Sequence, residues 1–213
     1  AASLDPQNAS TLRDLSTAQW LAGQTNAALD SLRSACDLEP LNAKWSRDLA
    51  TWYQAGGQSE KAVETFRQTL ELDPADMASW RDLGWTLWSL NRRKEALEAF
   101  DKAITGGVAG RQDVELQVLA QLIEDKQTDQ ALASLARWEP GAKLLDFALA
   151  MVAKGRNQAA RPLLLESWNR KEEPLKTGLY LAYLQSGGGS PKDIPAYLAP
   201  FMKSLSPMTD EKM

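Results

Sequence analysis

The stretch SWRDLGWTLWSLNRRKEALEAFDKAI, residues 79–104, contains two helical patterns in succession. In its first half, Trp80, Leu83, Gly84 and Leu87 follow one another at the i, i+3, i+4, i+7 spacing of a single helix face. The polar run SLNRRK interrupts this pattern, which resumes in the second half. The apolar stripe there consists of Ala96, Leu97, Phe100, Ala103 and Ile104. The stretch therefore predicts two helices joined by a short turn.

The same pattern recurs upstream with a period of 34 residues. The tripeptide Arg-Asp-Leu occupies residues 13–15, 47–49 and 81–83. Small residues at Gly84 and Ala96 are predicted to let the two paired helix backbones approach closely. Prolines that end each second helix share the interval, at Pro6, Pro40 and Pro74. A fixed period of this length indicates a chain built from repeated helix pairs.

The residues W-x2-L-G-x2-L, followed by A-x3-F-x2-A, resemble the tetratricopeptide repeat (TPR). Several of its consensus positions recur in phase across three units of this sequence. The resemblance implies an all-α, right-handed solenoid of about five to six helix-turn-helix repeats, of which the later ones are degenerate.

The periodicity also predicts how the chain is divided. Residues 1–8 are expected to be the tail of a preceding repeat, so that the sequence is a piece of a longer array. Residues 9–110 form three regular repeats, which we number 1 (9–42), 2 (43–76) and 3 (77–110). Degenerate helix pairs and a C-terminal cap are expected over 111–205, with a turn at Gly187–Gly189 and a last helix shortened or bent at Pro195 and Pro200. Residues 206–213 are expected to be a flexible tail.

Composition and charge exclude several functions. The formal net charge of −4 among 213 residues argues against a nucleic-acid partner, which would normally require a basic face. No apolar run reaches the ~20 residues of a membrane helix, so direct membrane insertion is not expected. Histidine is absent and Cys36 is the single cysteine, so no imidazole base or intramolecular disulfide is available. We expect no catalytic residues, no metal and no cofactor, and therefore no enzyme.

The resemblance places the first helix of each repeat on a concave groove, at repeat positions 2, 5, 9, 12 and 13, and the second helix on the convex back. Arg13, Arg47 and Arg81 then form a ladder at position 5. The remaining predicted groove residues are Thr17, Trp20, Thr51, Gln54, Trp85 and Trp88. Each arginine either pairs with an aspartate of the neighbouring repeat or also holds a ligand, and the two roles are compatible.

The eight tryptophans are predicted to have different roles. Trp20, Trp85 and Trp88 have a register that points to the groove, where exposed aromatics usually mark a binding face, although packing against the adjacent repeat is the alternative. Trp138 and Trp168 close later second helices and are expected in the core. Cys36 aligns with apolar residues of the other repeats and is expected to be a small buried hydrophobe.

Two functions fit these features. The first is a non-catalytic scaffold that binds a peptide or helix of a partner protein in the concave groove. An acidic chaperone tail is a poor ligand, because Asp48 and Asp82 would repel its carboxylates. The second follows family analogy: a periplasmic TPR segment of a bacterial exopolysaccharide export protein, which guides a polysaccharide or recruits a modifying enzyme. The identity of the partner is not encoded in any motif.

Overall fold

The structure is a computed structural model that describes residues 8–185. This part of the chain contains eleven helices and no strand, which confirms the all-α prediction. The helices are α1 (Ala9–Leu21), α2 (Thr25–Leu38), α3 (Ala43–Ala55), α4 (Ser59–Leu72), α5 (Met77–Ser89), α6 (Arg93–Thr105), α7 (Arg111–Glu124), α8 (Thr128–Trp138), α9 (Leu144–Ala153), α10 (Asn157–Asn169) and α11 (Pro174–Gln185). The features predicted for residues 1–7 and 186–213 lie outside the described residues.

The chain divides into two compact units, with the boundary between Arg111 and Gln112. In the first unit, α1 packs on α2, α3 on α4 and α5 on α6, while α2 also contacts α3 and α4 contacts α5. This pairing is the helix-turn-helix organisation that the 34-residue period predicts.

The helix pairs begin and turn at positions that also recur every 34 residues. In the first unit, the first helix of each pair has an N-cap side chain that accepts a backbone hydrogen bond: Asn8 from Thr11, Asn42 from Trp45 and Asp76 from Ser79. The turn inside each pair contains one residue with positive φ, a conformation that glycine and asparagine tolerate best. These turn residues are Gly23, Gly57 and Asn91.

The close approach of paired helices is confirmed at Gly84. A Cβ atom at this position would lie 2.6 Å from Cε1 of Phe100 on the opposite helix. The Phe100 ring is fully buried and also meets Trp85 edge-on, with 4.7 Å between ring centroids. Repeat 3 therefore depends on a glycine for the contact between α5 and α6.

In the second unit, α9 packs on α10 and α10 packs on α11. Pro162 lies inside α10, beyond its first turn, so the helix continues through it. Trp138 is buried as predicted, whereas Trp168 is only half-buried. A carboxylate oxygen of Glu172 accepts a hydrogen bond from the backbone N–H of Leu145 near the start of α9. Within residues 8–185, no helix combines the length and the apolar character needed to cross a bilayer.

Candidate functional site

Two rows of helices run through the first unit. The rings of Trp20 and Trp52 join α1 to α3, and α3 contacts α5. In the other row, α2 and α4 line a common cleft, and an ion pair between Arg67 and Glu95 joins α4 to α6. We call the surface of α1, α3 and α5 the first-helix face, and the surface of α2, α4 and α6 the second-helix face.

The three arginines of the predicted ladder lie on the first-helix face, and each is engaged by a carboxylate of the chain itself. Their side chains are 32–37% exposed. Two ion pairs reach from one first helix towards the next: Arg13–Asp48 (3.9 Å), and Arg47–Asp76 (3.2 Å), in which Asp76 is the N-cap of α5. Two others join adjacent residues of one helix: Arg13–Asp14 (3.4 Å) and Arg81–Asp82 (2.8 Å). The repeated triplet therefore does not pair in the same way in each repeat, and each of its guanidinium groups has a counter-charge.

Asp76 is the most constrained of these carboxylates. Its side chain is 11% exposed and accepts hydrogen bonds from both the backbone N–H and the hydroxyl of Ser79. Burial acts to raise the pKa of Asp76, but the Ser79 hydrogen bonds and the Arg47 charge outweigh it, so the pKa lies below its ordinary value. One carboxylate thus caps α5 and ties it to α3.

The polar residues predicted beside the arginines make contacts within their own helices. The Thr17 hydroxyl donates to the carbonyl of Arg13 at 3.1 Å, and the Thr51 hydroxyl donates to the carbonyl of Arg47 at 2.9 Å. Gln54 is half-buried. These hydroxyls act on the backbone of the helix that carries them, a common role for threonine inside a helix.

The tryptophans of the predicted groove do not form one surface. Trp88 is only 8% exposed and lies in the core rather than on the groove, with its ring centroid 6.2 Å from that of Phe100 in the same repeat. The Arg93 guanidinium lies 4.2 Å from its ring centroid and donates to its carbonyl oxygen. Trp85 is half-buried against Phe100.

Trp20 instead stacks on Trp52 of the next repeat, with 4.7 Å between ring centroids and 17° between ring planes. Both indoles are partly exposed. Leu21, at the end of α1, is 82% exposed beside Trp20 in sequence. Sequence reasoning assigned neither Trp52 nor Leu21 to the site. The sequence could have assigned Leu21 to the site, because this residue occupies repeat position 13, which the family places on the groove. Trp52 occupies position 10, which is not one of the groove positions, so the repeat pattern did not assign it to the site.

The single cysteine lies on the second-helix face. Cys36 is half-buried rather than fully buried. Burial, followed by the negative charges of Asp37 and Asp48, raises the pKa of its thiol to about 11. The thiol is therefore protonated at neutral pH and is a poor nucleophile. Residues 8–185 contain no cluster of three or more side chains arranged to hold a metal ion.

These observations define an all-α protein of stacked helix pairs with a charged and aromatic first-helix face. Residues 47–113 match the sequence model of the tetratricopeptide repeat family. Residues 47–113 of the chain therefore consist of tetratricopeptide repeats. A comparison with curated protein sequences found no significant match.

Solved structures agree with this fold. The crystal structure of MamA superposes with a TM-score of 0.56 at 19% identity, covering 70% of this chain and 83% of that one. YrrB, described as a TPR protein with an unusual peptide-binding site, has a TM-score of 0.52 at 16% identity and coverages of 80% and 90%. The structure of pilF of Pseudomonas aeruginosa has a TM-score of 0.51 at 18% identity, covering 94% of this chain and 91% of that one. At such identities the likeness establishes the fold alone.

Proposed function

We propose that the protein is a non-catalytic interaction scaffold that binds a peptide or helix of a partner protein across the first-helix face of its first unit. Helical repeat proteins use extended surfaces of this kind for binding, and the peptide-binding site named for YrrB supports the same ligand class. The chain has no histidine to act as an imidazole base, and its one thiol is protonated at neutral pH.

The observation that carries the proposal is the stack of two partly exposed indoles, Trp20 on Trp52. Two partly exposed indoles that stack on one another form a preorganised, rigid platform, and Leu21 extends the exposed apolar area at the end of α1. Exposed aromatic clusters typically supply the largest contributions to protein binding, because their burial removes much apolar area from water at little entropic cost.

The charges of the same face favour an apolar anchor over an acidic ligand. A carboxylate that approached Arg47 would have to displace Asp76, which is itself held by two hydrogen bonds from Ser79. At Arg81, Asp82 already occupies the guanidinium at 2.8 Å. We therefore expect the ligand to place an aliphatic or aromatic side chain on the indole pair, and the arginines to contribute to the stacking of repeats.

The arrangement of the tryptophans is less suited to binding a polysaccharide. Sugar rings bind to free indole faces, but Trp20 and Trp52 each present one face to the other. Trp88 is buried, and Trp85 lies against Phe100. The comparisons with known proteins give no support to an exopolysaccharide-export role. We therefore do not extend the proposal to glycans.

Selection of peptides from a phage-displayed library on the immobilised protein tests the proposal. Selected peptides are then titrated against Leu21→Ser and Leu41→Ser. The two leucines form a matched pair because each is 82% exposed, and Leu41 lies in the α2–α3 connection, away from the indole pair. Neither substitution creates a cavity, so both variants should fold.

We expect affinities to fall about tenfold or more for Leu21→Ser and to stay unchanged for Leu41→Ser, because loss of a central apolar contact costs about 1–2 kcal/mol. Trp52→Ala should abolish binding of the same peptides. If no selected peptide distinguishes the two leucine variants, the first-helix face is not the binding surface and the proposal is wrong.

A further inference from the structure

A second cleft lies on the second-helix face, between α2 and α4. Its volume is about 670 Å³, within the range of ligand-binding clefts in proteins. The apolar part of its lining comes from Leu49 and Tyr53 of α3, Leu72 of α4, Pro40 and the Cys36 side chain. Leu49 and Tyr53 are buried beneath it, so the base of the cleft is firmly packed.

The neighbouring cleft, between α4 and α6, is smaller, at about 540 Å³, and two cross-helix ion pairs span it. Arg67 pairs with Glu95 at 2.5 Å, and Arg92 pairs with Glu60 at 3.3 Å. Val63 is the one apolar residue of its lining. The second-helix face therefore has one cleft that is bridged and polar beside another with a partly apolar base.

The 34-residue register explains why the α2/α4 cleft is open. Arg33 occupies the position of Arg67, but the position of Glu95 is held by Lys61, so two cations replace an ion pair. The positions of Arg92 and Glu60 are held by the uncharged Gln58 and Asn26. Among the residues that the structure describes, no ion pair joins α2 to α4.

Each of the two cations contacts side chains of its own repeat. Arg33 pairs with Asp30 of its own helix at 3.0 Å. The Lys61 ammonium donates to Gln58 at 2.8 Å and lies 5.5 Å from the ring centroid of Tyr53. Both are thus satisfied locally, and neither is held across the cleft.

Four carboxylates line the α2/α4 cleft, and two of them, Glu64 and Glu71, also line the α4/α6 cleft. Asp37, Glu64 and Glu71 form no ion pair within the described part of the chain, and Glu39 accepts a hydrogen bond only from the uncharged Asn42. With Arg33 and Lys61 opposing them, the lining carries a net charge of about −2 at neutral pH. A negative rim around a partly apolar base is complementary to a cationic, amphipathic ligand.

We propose that the α2/α4 cleft is a second docking site, independent of the first-helix face, for a short basic amphipathic segment of a partner protein. Lysine or arginine side chains of that segment pair with Glu64, Glu71 and Asp37, and one aliphatic or aromatic side chain enters the cleft above Leu49 and Tyr53. An acidic segment is disfavoured, because it would meet four carboxylates while both cations are engaged by their own helices.

The test uses the whole chain and a capped synthetic peptide of lysine and leucine with the two residue types on opposite faces of a helix. A peptide with glutamate in place of lysine is the charge-reversed control. Binding is measured by fluorescence anisotropy, and a second readout is the alkylation rate of the Cys36 thiol, which lies in the cleft lining. We expect the lysine peptide to bind and to slow alkylation several-fold, and the glutamate peptide to do neither.

Variants then locate the site. The double variant Glu64→Gln with Glu71→Gln should weaken binding about fivefold, with a smaller effect at high salt. Glu98→Gln is the matched control, because Glu98 is the exposed equivalent of Glu64 in the next repeat, and it should have no effect. Leu21→Ser should also have no effect, which separates this site from the first-helix face.

Lys61→Glu is the most informative variant, since it restores the cross-helix pair with Arg33 and should close the cleft. We expect it to weaken binding at least threefold, although it adds negative charge. Tighter binding by this variant would show that general charge attraction, rather than the cleft, holds the peptide. The proposal is equally overturned if the lysine peptide does not bind, if it leaves Cys36 alkylation unchanged, or if Glu98→Gln matches the double variant.

Discussion

At the junction between repeats 2 and 3, Arg67 reaches Glu95 across α4 and α6, whereas at the junction between repeats 1 and 2 the equivalent positions hold Arg33 and Lys61. The helix pairing is the same on both sides of repeat 2. The first-helix face adds a second difference. Stacked indoles, Trp20 on Trp52, cross the junction of repeats 1 and 2, while a capped and hydrogen-bonded ion pair, Arg47–Asp76, crosses the next.

The comparison shows that two properties of this array are set by different residues. Small and apolar residues at recurring positions determine how the two helices of a pair pack, and they vary little between repeats. Charged residues at the junctions determine whether neighbouring second helices are bridged or leave a cleft. A repeat array can therefore keep one fold while changing its binding surfaces from one junction to the next.

The largest effect should come from a fully buried core position that is phenylalanine in repeat 3 and leucine in repeat 1. Phe100 of repeat 3 is equivalent to Leu32 of repeat 1, and both are fully buried. Phe100→Ala should lower the free energy of unfolding by about 3–5 kcal/mol, because it removes the ring that contacts Trp85 and leaves a cavity. Urea denaturation followed by far-UV circular dichroism measures the loss. Leu32→Ala should cost less, and an equal or larger loss would contradict the ranking.

A smaller effect is expected from the position that lets the helices of repeat 3 approach each other. Gly84→Ala should destabilise the protein by about 1–3 kcal/mol, because the added methyl group would lie 2.6 Å from the enclosed Phe100 ring. Helix propensity alone predicts the opposite sign, a gain of about 1 kcal/mol. In repeat 2 the equivalent residue is alanine, and Ala50→Gly should instead cost about 1 kcal/mol through propensity. Stabilisation by Gly84→Ala in denaturant melts would show that the contact has room to relax.

The fold was predictable because its determinants are local and repeated. Glycine at 84 and phenylalanine at 100 lie in the same helix pair, and the period of 34 residues brings them together without knowledge of distant contacts. Each such contact recurs in equivalent form, so one misread position does not change the prediction.

The site was less predictable, because its contacts join side chains of different repeats. The Arg-Asp-Leu triplet recurs without change, yet Arg47 pairs with Asp76, a cap residue outside the triplet. Trp20 and Trp52 occupy different repeat positions, and their rotamers bring the rings together. The contrast between Lys61 and Glu95 is visible in the sequence, but its meaning depends on knowing that these positions face the preceding second helix.

The caps of the two junctions offer a test of intermediate size. Asp76→Ala should lower the free energy of unfolding by about 0.5–2 kcal/mol at pH 7, since it removes an N-cap and the partner of Arg47. Asn42→Ala, at the equivalent cap of repeat 2, should cost less, because Asn42 accepts one longer bond of 3.3 Å from Trp45. Thermal melts of both variants provide the comparison.

Lowering the pH should reduce the difference between the two cap substitutions. The folded pKa of Asp76 is below its unfolded value of about 3.9, so its stabilisation is complete well above that pH and falls as the pH drops through the folded pKa. The penalty of Asp76→Ala should therefore shrink between about pH 5 and pH 2, while that of Asn42→Ala stays constant because an amide does not titrate. If the destabilisation caused by Asp76→Ala did not depend on pH, the charge of this carboxylate would contribute nothing to the free energy of unfolding.

The smallest effect concerns the charge difference with which the comparison began. Lys61→Glu alone is ambiguous, because a new pair with Arg33 is offset by the loss of the Lys61 contacts with Gln58 and the Tyr53 ring. A double-mutant cycle removes that ambiguity by measuring Arg33→Ala in the presence and absence of Lys61→Glu. We expect a coupling of about 0.2–1 kcal/mol that favours the new pair, decreases in high salt and approaches the coupling between Arg67 and Glu95. In the unaltered chain, Arg33 and Lys61 should show coupling near zero or slightly repulsive. If the coupling between positions 33 and 61 is the same with lysine and with glutamate at position 61, the α2/α4 cleft is held open by packing rather than by its charges.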